Sequence, residues 1–206
     1  SRTLHEAGLF IALKGDRFDG HEFVQEALEK GAAGAIVEAG FRVHPGLMTG
    51  DARRKASASA RGVVLAVPDS LLAYQQIATY HRGTFDIPVA AVTGSNGKTT
   101  TKEMIARVLE ERWSILVTEG NLNNRIGVPQ TLLRLRASHE AAVIEMGVDQ
   151  KGQTTRLAEI ARPTIGVITN IGPDHLEFFG TMDASAEAKG ELLDALSAGH
   201  AVVLNA

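Results

Sequence analysis

The sequence predicts an α/β protein with largely parallel sheets, and three observations carry that prediction. Short apolar runs rich in Val and Ile alternate with segments of helical period, the pattern of strands crossed over by helices. This series occurs twice, on either side of Gly83-Thr84-Phe85-Asp86-Ile87-Pro88, whose Gly and Pro suit a linker between domains. A length of 206 residues, 44% hydrophobic and 22% charged, suits one large domain or two small ones.

In the first series, residues 9–13 read as a strand and 21–30 as a helix turning Phe23, Ala27 and Leu28 inward. Strands follow near 35–37 and at 63–67, and Asp69 or Ser70 is placed to cap a helix reaching about Tyr80. Between those strands, 41–62 holds the cluster Arg53, Arg54 and Lys55, whose plainest reading is a solvated loop or helix face. In the second series, strand 89–93 leads through Gly94 and Gly97 into a helix from Lys98 to about Arg112, with Met104, Ile105, Val108 and Leu109 on its buried face. Further strands are expected at 115–118, 142–145, 165–169 and 201–204, and helices near 129–135, 154–160 and 182–196.

Composition narrows the function. The chain has no cysteine, which excludes disulfides, thiolate metal sites and a cysteine nucleophile. A formal charge of −3 gives no sign of a nucleic-acid binder. No apolar run approaches the roughly 18–20 residues that cross a bilayer, and no signal-peptide pattern opens the chain, so a cytoplasmic protein without membrane insertion is expected. There is no initiator Met, and the chain stops just after the β-like run 201–204, where a parallel strand needs a further covering element. It therefore reads as a fragment at both ends.

Thr93-Gly94-Ser95-Asn96-Gly97-Lys98-Thr99-Thr100 lies between an apolar strand and an amphipathic helix, the context a phosphate-binding loop requires. Glycines let backbone wrap phosphates, and the helix start offers N–H groups with a favourable dipole. Lys98 would neutralise β- and γ-phosphates and the Thr99 hydroxyl would ligate Mg²⁺. The longer Walker pattern wants Gly where Val92 stands, so this is the shorter G-x-x-G-K-T form, and a plain glycine-rich turn is the alternative.

Ligands of an open parallel sheet gather at the carboxyl ends of its strands. Glu145 ends one strand, where a carboxylate is costly unless it works, for instance as a Mg²⁺ ligand. Asn170 and His175 follow another strand, with Asp174 and Glu177 beside them as further possible ligands. Asn121, Asn123 and Asn124 form a third strand-end loop, suited to turn chemistry or to holding a carbonyl or phosphate oxygen. Lys189, inside a helix, reads on its own as a surface lysine.

Taken together, the phosphate loop, Gly120-Asn121-Leu122-Asn123-Asn124-Arg125-Ile126-Gly127-Val128-Pro129, Glu145-Met146-Gly147, and Thr169-Asn170-Ile171-Gly172 with His175-Leu176-Glu177 resemble the ATP-dependent Mur ligases of peptidoglycan synthesis. Ser1-Arg2-Thr3, 9–15 and Asp19-Gly20-His21-Glu22-Phe23 resemble the N-terminal domain of that family, which holds a UDP-sugar. The resemblance implies an N-terminal UDP-sugar domain over 1–86 and a central P-loop ATPase domain over 87–206, both incomplete. It implies that Gly94, Ser95, Asn96, Gly97, Lys98, Thr99 and Thr100 bind ATP, that Thr99 and Glu145 hold one Mg²⁺, and that His175 helps hold a second. Lys189 matches a lysine carbamylated in several members, Asn121, Asn123 and Asn124 match a loop of the active cleft, and Ser1 and Arg2 sit where relatives approach the uridine. The implied reaction joins D-alanyl-D-alanine to UDP-N-acetylmuramoyl-tripeptide through an acyl phosphate, in a monomer, with this fragment alone inactive. The alternatives are another ligase of the superfamily, adding meso-diaminopimelate or extending folylpolyglutamate, and a P-loop nucleotide switch that ligates nothing. Residues 148–154 and Pro173-Asp174 depart from the family pattern without removing a proposed ligand.

Overall fold

The computed structural model describes residues 7–15, 18–42, 48–49, 62–173 and 181–205. Contacts gather the chain into two compact units, Ser1–Tyr74 and Gln75–Ala206.

The first unit carries four parallel strands, β1 (Leu9–Ile11), β2 (Gly34–Glu38), β3 (Met48–Thr49) and β4 (Val63–Val67), in the order β1-β2-β4-β3. The crossover from β1 to β2 opens with a 3-10 turn, Gly20–Phe23, before α1 (Val24–Glu29). Asp19 Oδ1 accepts the His21 N–H at 3.0 Å and lies 2.5 Å from His21 Nδ1, while His21 Nε2 accepts the Glu38 N–H at 2.9 Å. The imidazole thus carries its proton on Nδ1 and ties the turn to the end of β2. The turn also corrects the expected inward face. Phe23 is 40% exposed, and Val24 joins Ala27 and Leu28 in the core instead, because the α-helical spacing begins only at Val24. The two-residue β3 was not expected at all.

Asp69 is the cap of α2 (Ser70–Gly83), its Oδ1 accepting the Leu72 N–H at 2.8 Å. From Gln75 onward the chain belongs to the second unit. Arg82 is buried there and donates to four carbonyls, those of Ala161 (2.8 Å), Phe85 (2.6 Å), Ile87 (3.2 Å) and Arg162 (3.2 Å). Residues 84–88 are thereby pinned, and Phe85 and Ile87 pack on the core.

The second sheet has the order β6-β7-β5-β8-β9, all parallel: β5 (Val89–Thr93) at the centre, β6 (Ile115–Val117) and β9 (Ala201–Leu204) at the edges, β7 (Ala141–Glu145) and β8 (Ile165–Ile168) beside β5. Every residue of β5 and β7 is buried, which is why both read as unbroken apolar runs. One face packs on α4 (Gly127–Leu132), α5 (Gln153–Ala161) and α6 (Met182–Asp194) through Leu132, Leu157 and Leu192, each such burial contributing about 1.5–3 kcal/mol. The other face packs Val92, Val143 and Val167 on Ile105 and Leu109 of α3 (Lys98–Glu110). Helices on both faces make a doubly wound sheet around the parallel strands that the sequence predicts.

The expected face of α3 needs correction. Met104 is 65% and Val108 73% exposed, whereas Lys102 and Ala106 are buried and Ile105 and Leu109 partly so. The inward stripe is 102, 105, 106 and 109, spaced as one helical face, and Met104 and Val108 lie roughly 160–120° away from Lys102 around it. Among the described residues, no helix is long and apolar enough to cross a membrane.

Candidate functional site

The Gly94–Lys98 loop leaves the end of β5 and enters α3. Gly94 has φ 141°, and a Cβ there would lie 2.0 Å from Thr169 Oγ1. Gly97, φ 77°, is the N-cap of α3 and, having no side chain, adds no capping acceptor at the positive end of the helix dipole. Only glycine satisfies both positions comfortably. Lys98 folds back over the loop, its Nζ donating to the Gly94 (2.7 Å) and Ser95 (3.1 Å) carbonyls.

The loop is stitched to the segment after β8. Ser95 N–H donates to the Asn170 carbonyl (3.0 Å), Asn96 N–H to Asn170 Oδ1 (2.9 Å), and Thr169 Oγ1 to the Asn96 carbonyl (2.6 Å). Ser95 Oγ accepts the Gly172 N–H (2.7 Å) and donates to the Gly172 carbonyl (3.0 Å). With the Ser95 and Asn96 amides engaged this way, the group facing an anion is the start of α3, where Thr99 and Thr100 are exposed.

Glu145 stands at the carboxyl end of β7, in register with Val92 of β5, and is 2% exposed. Its N–H donates to Thr118 Oγ1 (3.0 Å), just past β6. Its Oε1 accepts from Asn123 Nδ2 (2.8 Å), and its Oε2 is buried with no hydrogen-bond partner. An unmet buried acceptor costs about 1–3 kcal/mol, and more when it is charged. The orphan oxygen is a hard donor suited to a divalent cation of the Mg²⁺ type, so the residues present fit that metal. Among the described residues there is no group of three or more His, Asp and Glu side chains able to hold a metal unaided.

The three asparagines divide by role. Asn123 reaches the carboxylate, and its carbonyl also accepts the Gly147 N–H (2.8 Å), where a Cβ would press against the Asn123 amide. Asn124 Oδ1 accepts the Ile126 (3.0 Å) and Gly127 (2.9 Å) N–H groups at the start of α4, which is turn chemistry. Asn121 is exposed, and its carbonyl accepts the Asn123 N–H (2.8 Å).

Lys189 is not on the surface. It is 1% exposed in α6, with Nζ donating to Ser185 Oγ at 2.6 Å. Ser1, Arg2, His175, Asp174, Glu177 and the cluster Arg53, Arg54 and Lys55 lie outside the described residues. Sequence reasoning missed Lys102, fully buried on α3; its signal was a lysine on the stripe shared with Ile105 and Leu109. Away from the phosphate loop, a groove of about 560 Å³ runs along the outer edge of β6. There the hydrogen bond from Arg134 holds the Glu119 carboxyl below its ordinary range.

Comparison with known proteins agrees with this arrangement. Residues 92–206 match the Mur ligase middle domain and residues 1–82 match the family described as Mur ligase family, catalytic domain. The chain is 45% identical over 193 residues to the UDP-N-acetylmuramoyl-tripeptide–D-alanyl-D-alanine ligase of Synechocystis, covering 94% of this chain and 39% of that protein. It is 40% identical to the ligase of the same name from Bacillus subtilis, covering 95% and 40%. Among solved structures, MurF from Acinetobacter baumannii superposes with a TM-score of 0.83 at 36% identity, over 98% of this chain and 41% of that one. MurF ligase from Thermotoga maritima, solved in complex with ADP, gives 0.82 at 35% identity, over 98% and 44%. The chain thus spans about 40% of the length of the curated relatives it matches.

Proposed function

From a chain that belongs to the Mur ligase family, we propose the nucleotide-binding part of an ATP-dependent ligase that joins D-alanyl-D-alanine to UDP-N-acetylmuramoyl-tripeptide. The observation that carries this reading is the pairing, at the carboxyl ends of β5 and β7, of a glycine-capped helix start with a buried carboxylate whose second oxygen has no hydrogen-bond partner. In this reading Lys98 and the first turn of α3 hold the β- and γ-phosphates, with Gly94, Ser95, Asn96, Gly97 and Thr100 shaping the cradle. The Thr99 hydroxyl and Glu145 hold Mg²⁺, which neutralises phosphate charge when bound. His175 and Lys189, the latter as a carbamate, support a second Mg²⁺, and Asn121, Asn123 and Asn124 border the cleft. Ser1 and Arg2, within an N-terminal domain over 1–86, approach the uridine, and 87–206 bind ATP. The protein works as a monomer in the cytoplasm.

The chemistry asks for alignment and charge neutralisation and needs no protein nucleophile. A carboxylate oxygen of the tripeptide attacks the γ-phosphorus and ADP departs, leaving an acyl phosphate. The amine of D-alanyl-D-alanine then attacks the carbonyl carbon, an amide forms, and phosphate leaves with the electron pair of the broken C–O bond. Lys98, already curled onto the loop carbonyls, is placed to follow the transferring charge.

Binding of ADP with Mg²⁺ to the chain and to Lys98→Ala, followed by calorimetry, tests the nucleotide site. The expected result is at least a tenfold loss of affinity with an unchanged circular dichroism spectrum, and equal affinity contradicts the assignment. For the reaction, the chain replaces the matching segment of the Bacillus subtilis relative. Phosphate release that requires both UDP-N-acetylmuramoyl-tripeptide and D-alanyl-D-alanine supports the ligase, and release indifferent to both points to a nucleotide switch.

A further inference from the structure

The largest fully buried side chains described are two lysines, Lys189 and Lys102, and Lys102 is at 0% exposure. Burying an ammonium costs several kcal/mol, and its place in the second turn of α3 gives it no help from the helix dipole, which favours anions there. A leucine or methionine would serve the packing of this stripe without that cost. What the ammonium gains is specific. Nζ donates to the Thr118 carbonyl at 2.8 Å and pairs with Glu103 Oε1 at 2.9 Å.

Thr118 is 1% exposed and is held from three directions, its N–H donating to the Val143 carbonyl of β7 at 3.0 Å. Its carbonyl is fixed by α3 through Lys102, while its hydroxyl accepts the Glu145 N–H. Five residues later Asn123 closes onto Glu145 Oε1, and its carbonyl takes the Gly147 N–H. The segment from Thr118 to Asn123 therefore brackets Glu145 at both ends, and Lys102 is the side chain that joins this bracket to the helix bearing Lys98 and Thr99. We infer that Lys102 is a positioning residue: through the Thr118 carbonyl it sets the Glu145 carboxylate against the first turn of α3. The inference rests on the reading of Glu145 and Thr99 as the Mg²⁺-nucleotide site.

The test uses the 206-residue chain, with ADP and Mg²⁺ as probes. Lys102→Met keeps the length and apolar stem and removes the donors. Thr118→Val removes the hydroxyl with the ammonium left in place, and Thr118→Ser keeps it. In Lys102→Met, ADP affinity in EDTA is expected within about twofold of the parent, while the gain in affinity on adding Mg²⁺ falls about tenfold. Amide exchange at Glu145 and Gly147 should quicken at least tenfold. Thr118→Val should reproduce both effects and Thr118→Ser should restore the parent values, which a purely structural role would not do for the Mg²⁺ gain. If Lys102→Met does not unfold cooperatively, Lys102→Gln, which keeps an N–H donor on the side chain facing the Thr118 carbonyl, is read in the same two assays and decides. Unchanged exchange at Glu145 and Gly147 together with an intact Mg²⁺ gain overturns the inference. A parent chain that shows no Mg²⁺ gain overturns the nucleotide reading instead, and the exchange arm still decides whether Lys102 governs Glu145.

Discussion

Replacing Glu145 by Gln should make the protein more stable and less able to bind Mg²⁺ with nucleotide. The carboxylate is 2% exposed, receives one side-chain hydrogen bond at 2.8 Å, and leaves Oε2 unmet. Gln preserves the shape and keeps an oxygen facing Asn123 Nδ2. Its nitrogen replaces the orphan oxygen with an unmet neutral donor, costing about 1–3 kcal/mol where the charged group costs more. The difference is a gain of about 1–2 kcal/mol without metal, equivalent to roughly 3–8 °C in midpoint for a unit of this size. Ligand linkage works the other way. A parent site at tenfold excess of Mg²⁺-ADP over Kd gains about 1.4 kcal/mol, and the Gln variant should gain little. The assay is thermal unfolding of both proteins in EDTA, then with ADP and millimolar Mg²⁺. The order of stability should narrow or invert between the two buffers. A Gln variant less stable than its parent in EDTA, with the same response to Mg²⁺-ADP, would refute the argument that Oε2 is kept unmet for a cation.

Other outcomes follow from the same geometry. Gly94→Ala places a Cβ 2.0 Å from Thr169 Oγ1 at a φ of 141°, so a loss of about 1–3 kcal/mol and at least tenfold weaker ADP binding are expected; parental urea midpoint and affinity would contradict that close approach. Arg82→Met strips the donor from four carbonyls and should lower unfolding free energy by about 3–5 kcal/mol, read from urea melts, and a change below about 1 kcal/mol would contradict it. Burial pushes the Tyr74 phenol up to about 12, which favours the protonated form in the folded state. Its contribution is whole below pH 10 and is lost as pH rises through about 12, at most about 3 kcal/mol. In Tyr80→Phe, which leaves Tyr74 as the single phenol, absorbance titration should give a midpoint near that value, and one near 10 would count against the burial argument.

How much was legible in the sequence depended on whether hydrophobicity alone decided placement. The strands β5 and β7 were readable because a parallel strand covered on both faces is a continuous apolar run. The tight glycine turn from β5 into α3 was readable because Gly94, Gly97, Lys98 and Thr99 fall together between an apolar run and a helical period. The face of α3 was not. There a lysine takes a core position, so an apolar count rotates the helix toward Met104 and Val108. Asn123 and Asn124 are adjacent and chemically identical; only the fold assigns one to a carboxylate and the other to a helix start. Phe23 was misplaced by the 3-10 turn, and β3, two residues long, is too short to show any period.

The hydrogen bonds joining Ser95 and Asn96 to Thr169, Asn170 and Gly172 have a consequence for how such a chain can be recombined. The glycine-rich motif is not a portable cassette. A crossover between parents that falls anywhere from Asn96 to Thr169 inherits the loop from one and its seating from the other. A mismatch at Thr169 or Asn170, whose side chains make two of these bonds, then spoils a motif more than seventy residues away in sequence. The smallest piece that can be exchanged intact runs from Gly94 to Gly172, and shuffled libraries should recover nucleotide binders chiefly with both ends from a single parent.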